Sequence, residues 1–150
     1  METRPSERHA AFLRTQQVIW LAIPVGALMF AAVVLFALRP ETLAAEAQRE
    51  WYFYAAALVS VVAILAGFAL QRRVSDRMAS AATDAEALAA MQTLGLVSIA
   101  VMEGSALFAV VMVVLTGETV HLAFVVPFLA FVALFFPTAE RFNGRMGQRR

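Results

Sequence analysis

The chain has 150 residues, 61% of them apolar and 15% charged, with a formal net charge of +1 and a mean hydropathy of +0.73. That balance excludes an ordinary soluble domain, in which about a quarter of residues are charged. The absence of cysteine removes disulfides, thiolate metal sites and cysteine nucleophiles together.

Four continuous apolar runs follow one another along the chain, at 18–38, 52–70, 94–115 and 120–137. Each is close to the roughly 20 residues that, at 1.5 Å rise, cross a hydrocarbon layer about 30 Å thick. Strands of a membrane barrel would be about half as long and would alternate in polarity. The expected fold is therefore an all-α membrane protein, a four-transmembrane-helix bundle that forms one integral membrane domain over residues 1–150.

The first run follows a polar stretch carrying Arg4, Arg8 and Arg14 and ends at Arg39-Pro40 without a small-residue cleavage pattern. It is expected to stay as a span rather than be removed as a signal peptide. Trp20 is expected near the inner interface, and Trp51, Tyr52, Phe53 and Tyr54 as an aromatic anchor at the outer one. Between them Pro40-Glu41-Thr42 suits a helix first turn, so the outer connection is expected to run as a short helix into the second span.

The second run places Ala56, Ser60, Ala63 and Gly67 at spacings of four, three and four. Small residues at this spacing let helix backbones approach closely, which matters in lipid because burying apolar surface there gives little drive. After the arginine-rich loop, Thr83-Asp84-Ala85-Glu86 fits a capping box, in which the threonine oxygen and the glutamate serve unpaired amides at a helix start. The third helix should then begin at Asp84 and reach Leu115, roughly 48 Å at 1.5 Å per residue, overhanging the membrane by a turn or more. Its own small-residue face, Gly95, Ser98, Met102, Ser105 and Ala109, is expected to pack on the second span. In the fourth run Phe124, Phe128, Phe131 and Phe135 form one stripe, with Ala123, Pro127 and Ala130 on another face. Pro24 and Pro127 each leave a carbonyl one turn earlier without its usual donor, which implies mild kinks.

Orientation follows from arginine. Arg4, Arg8 and Arg14 precede the first span, Arg72, Arg73 and Arg77 lie in the middle loop, and Arg141, Arg145, Arg149 and Arg150 follow the last span; only Arg39 and Arg49 lie elsewhere. The positive-inside rule places both termini and the middle loop in the cytoplasm. All cationic side chains are arginine and alanine is abundant, a composition that suggests a GC-rich bacterial genome and hence the cytoplasmic (inner) membrane. The arginines are matched to anionic membrane lipid, and nucleic-acid binding is not implied.

Glu103, in "VMEGSALF", breaks the apolar pattern. It lies about nine residues, or 14 Å, into the third span, close to the midplane. Removal from water disfavours the carboxylate, so a protonated, exchangeable acid is expected at neutral pH. Ser60 and Ser105 are candidate hydrogen-bond partners, Ser60 within about one turn of the same level. No serine, histidine and acid converge at one depth, and neither a zinc-protease motif nor a glycine-rich phosphate loop occurs. His9 and His121 are far apart with no second ligand at helical spacing. Enzyme activity, a cofactor and a metal centre are therefore not expected.

The stretch "IAVMEGSALFAVVMVVL", with a midspan glutamate, then a small residue, then Ala106 and an aromatic residue at Phe108, resembles the ion-carrying helix of the proteolipid c subunits of rotary (F/V-type) ATPases. Over residues 55–115 the topology is also similar: an inward helix rich in small residues, a polar cytoplasmic loop, and an outward helix bearing the carboxylate. The resemblance implies that Glu103 binds and releases a proton or a sodium ion within a homo-oligomer or a membrane complex. The chain departs from that pattern in having Gly67 as the lone glycine of the second span, a long middle loop and two extra spans. Two readings follow. Glu103, shaped by Ser60 and Ser105, exchanges H+ or Na+; alternatively, the chain is a non-catalytic scaffold or accessory subunit in which the glutamate is a protonated packing element.

Overall fold

A computed structural model describes residues 5–38 and 46–147 of the chain. Every regular element among them is helical. Helix α1 spans Pro5–Val33 and continues as a π-helical turn, Val34–Leu38; α2 spans Glu46–Ser80 and α3 Asp84–Thr116. A 3-10 helix, Thr119–Phe124, then leads into α4, Val125–Phe135, and the described chain closes with α5, Ala139–Gly147. Three helical segments are long and apolar enough to cross a membrane: His9–Leu38, Gln48–Ser80 and Asp84–Thr116. The fourth apolar segment, Thr119–Phe135, is shorter than these. The expected helix turn at Pro40-Glu41-Thr42 lies outside the described residues.

The caps explain where α3 begins and ends. Thr83 Oγ1 accepts from the Glu86 amide at 3.2 Å, while Glu86 Oε2 accepts from the Ala82 amide at 2.9 Å. The box is thus formed one residue wider than expected, with the glutamate serving Ala82 rather than the threonine. At the other end Gly117 takes φ 73° and donates to the Val113 carbonyl, the left-handed closure that glycine adopts without a Cβ penalty. Here the glycine is required by the turn.

Helix α3 packs against α1, α2, the 3-10 helix and α4 while leaving one face uncovered. Half of its apolar window is buried within the protein, against 22% for each of the other two long helices. The expected small-residue faces meet: Ala56, Ser60, Ala63 and Gly67 of α2 are buried, as are Gly95, Ser98, Met102, Ser105 and Ala109 of α3. Gly67 lets side chains of α3 and α4 close in on α2. A Cβ built there would stand 3.1 Å from Met102 Cγ and 3.1 Å from Phe131 Cε2.

The phenylalanine stripe of the last segment turns inward. Phe128 and Phe131 are fully buried against α3, whereas Ala123 and Ala130 are exposed. Pro127 falls in the first turn of α4, where a missing amide hydrogen interrupts nothing. The residues before it tighten into the 3-10 turn, and the Val125 amide donates to the Leu122 and Ala123 carbonyls. The Ala123 carbonyl, which Pro127 cannot serve, therefore keeps a donor. Trp20, expected near the inner interface, is 4% exposed and belongs to the main core, so its ring packs on protein.

A second, smaller cluster sits at the end of the bundle that carries the start of α1, the α2–α3 turn and α5. Val74, Met78, Ala87, Met91 and Phe142 are buried there with Phe12 and Leu13 against them. Phe142 anchors α5, with its ring 6.2 Å from that of Phe12 and 5.8 Å from that of His9. Arg141 donates to the Leu134 and Phe136 carbonyls, so one guanidinium covers acceptors that the end of α4 leaves without a following amide.

Candidate functional site

Glu103 projects from α3 beside the seam between its buried and exposed faces. The inward face around it is Ile99, Met102, Ala106 and Ala109, all buried. On its other side Ala100 and the adjacent Gly104 are exposed, Leu107 one turn on is half-buried, and Val97 and Val111 are also exposed. Glu103 itself is half-buried. Among the described residues no hydrogen bond or ion pair reaches its carboxyl group. Nothing fills the space where a Cβ on Gly104 would stand, no atom lying within 4 Å. The acid thus borders an exposed strip of α3 in which Ala100 and Gly104 are the small residues, between Val97 and Val111.

Ser105 and Ser60 are inside the bundle. Ser105 is two residues beyond Glu103 on the same helix, a rotation of about 200°, and is buried in the face that meets α2. The register between α2 and α3 locates Ser60. Gln71 bonds to Ser98 at 2.8 Å and Gly67 faces Met102, so Ser60, two turns before Gly67, stands opposite Ala109. That is about 9 Å along the axis from Glu103. Ser60 is 3% exposed and its Oγ has no hydrogen-bond partner among the described residues. No hydrogen bond joins either serine to Glu103.

Other polar side chains lie deep in the bundle, of which Gln16, Gln71 and Thr116 carried no expectation from the sequence. Gln16, Gln71, Ser98, Thr116 and His121 are all buried. Thr116 donates to the Met112 carbonyl one turn back, at 2.7 Å, and accepts from the Glu118 amide, which seals the end of α3. His121 is 0% exposed with neither ring nitrogen hydrogen-bonded, and its ring lies 6.1 Å from that of Phe53. Nearby, Arg49 and Glu118 form an ion pair at 3.6 Å that links the start of α2 to the α3–α4 connection. The available signal for Gln16 and Gln71 was their place at the edges of apolar runs, which also suits residues facing water. Among the described residues no group of three potential metal ligands occurs.

No family model matches the chain, and no curated protein or solved structure does either. The chemistry of the site therefore rests on its own geometry. A carboxyl group in mid-helix, with no partner among the described residues and beside an exposed face of its helix, can accept a proton or a small cation, or hydrogen-bond to another helix.

Proposed function

We propose that this chain is a multi-pass protein of the cytoplasmic membrane in which Glu103 binds and exchanges a proton or a sodium ion, in the manner of a c subunit. What supports this reading is the position of Glu103: mid-helix, without a partner among the described residues, beside the exposed face of the most buried of the three long helices. A charge or proton held there is accessible to another copy or to a membrane partner, as the interior serines are not. Both termini and the α2–α3 turn are assigned to the cytoplasm from the arginine distribution. The segment Thr119–Phe135 serves as a fourth span; six residues at about 2.0 Å and eleven at 1.5 Å reach roughly 28 Å, near the thickness of the hydrocarbon layer. Anionic lipid at the arginine-rich end is the other partner.

The experiment is carbodiimide labelling of the protein in native membranes, followed by peptide mass analysis. Modification confined to Glu103, faster at low pH, slowed by sodium if sodium is the ion, and lost in Glu103→Gln, is the expected result. Labelling indifferent to pH and sodium would remove ion exchange. The separation of Ser60 and Ser105 from the acid favours a second reading, in which Glu103 is a fixed hydrogen-bonding element that joins a scaffold or accessory subunit to its neighbour. In that case Glu103→Gln retains assembly, because an amide can still donate and accept.

A further inference from the structure

Away from Glu103, three helices bring polar side chains to one point, where the main core meets the smaller cluster. Gln71 of α2 donates from Nε2 to Ser98 Oγ of α3 at 2.8 Å, and Ser98 Oγ donates to the Gly95 carbonyl at 2.8 Å. Gln16 of α1 is 2% exposed, and its Nε2 has no hydrogen-bond partner. Gln16, Gln71 and Gly95 line one small, partly open cavity of about 10 Å³, with Trp20 and Phe135 among its walls. Gly95 is buried, yet a Cβ built on it would meet no atom within 4 Å.

We propose that this cavity is a binding site for a single water molecule, which accepts a hydrogen bond from Gln16 Nε2 and ties α1 to the Gln71–Ser98 bond between α2 and α3. The size suits one water, which needs roughly 10–15 Å³ of room for its centre. The lining suits it as well. Dry cavities are apolar, whereas this one presents a buried amide donor with nothing in the protein to receive it, and leaving such a donor unsatisfied is destabilising. Gly95 keeps the space open: any other residue would put a methylene or methyl group where the water sits. The cross-link also accounts for glutamine at position 16, in a helix whose other buried side chains are Trp20, Pro24, Ala27 and Ala31.

The test is the thermal unfolding of the full chain in detergent micelles for Gly95→Ala, alone and combined with Gln16→Met. In a dry cavity the added methyl fills space and replaces a helix-interior glycine, and both effects raise the midpoint. With water bound, the methyl displaces it and strands the Gln16 amide, so the midpoint falls by about 3 °C. In the Gln16→Met background no donor is stranded, and Gly95→Ala raises the midpoint. The expected result is this reversal of sign. A rise in both backgrounds, or a fall in both, overturns the proposal. If a variant does not fold, proton NMR of the unaltered protein decides: a cross-peak between the Gln16 side-chain amide and a long-lived water is expected, and its absence overturns the site.

Discussion

Gly67 and Gly104 show how differently two glycines of one bundle are used. At Gly67 a Cβ would press on Met102 and Phe131 at 3.1 Å, tighter than ordinary contact. Gly67→Val should therefore lose about 1–3 kcal/mol, measured by denaturant unfolding in micelles. At Gly104 there is open space, and Gly104→Ala should leave the folded monomer unharmed or slightly stabilised. If copies meet along this strip, Gly104→Leu should reduce crosslinked oligomer in membranes while monomer stability is kept. Glu103→Gln belongs with this second group. Its carboxyl group bonds to nothing among the described residues, so unfolding should shift by no more than about 0.5 kcal/mol, whatever happens to ion exchange. A large loss of monomer stability in Glu103→Gln would mean that the acid is glue within the chain.

Among the elements, α3 is specified most tightly at its ends. Thr83 and Glu86 satisfy amides at its start, and Thr83→Ala should lower stability by about 1 kcal/mol. Amide exchange at residues 84–87 should quicken more than in the middle of the helix. At Gly117 the left-handed backbone makes Gly117→Ala unfavourable by about 1–2 kcal/mol, seen in the same unfolding measurement. The short α5 is held differently, by one ring. Phe142 is 3% exposed in the smaller cluster, so Phe142→Ala should release the helix to limited proteolysis near Arg141 while the long helices remain intact by circular dichroism. Full protection of α5 in that variant would show that Arg141 and its carbonyl contacts suffice to dock it.

At the scale of the whole molecule, topology is the property most open to test. The chain has no cysteine, so single introduced thiols report without a background. Ala82→Cys, in the α2–α3 turn, should react with a membrane-impermeant maleimide only after the cytoplasmic face is exposed. Thr119→Cys, at the opposite end of α3, should react from outside in intact cells. The same side for both would break the proposed course of α3 across the membrane. Under the proposed topology the two clusters also lie in different environments. The main core relies on close packing of small and aromatic side chains, since lipid offers no contrast to an apolar interior. The smaller cluster lies beside the exposed Arg72, Arg73 and Arg77, and there burial from water adds its usual drive.

Chain-local features were legible in the residues alone. The three long apolar helices follow from run length, because each residue adds a constant rise and the hydrocarbon layer has a set thickness. The start of α3 follows from Thr83 and Glu86, since a cap is made within four residues of chain. The pairing of α2 with α3 was visible in the spacing of Ala56, Ser60, Ala63 and Gly67. Only the tertiary structure decided that Trp20 is core, that Glu103 stands at the outer edge of its helix, that Ser60 lies opposite Ala109, and that Gln16 meets Gln71 and Gly95. In a soluble helix the boundary between polar and apolar faces would have revealed these directions. Here nearly every face is apolar, so which way a side chain points depends on rotation and register set by distant helices.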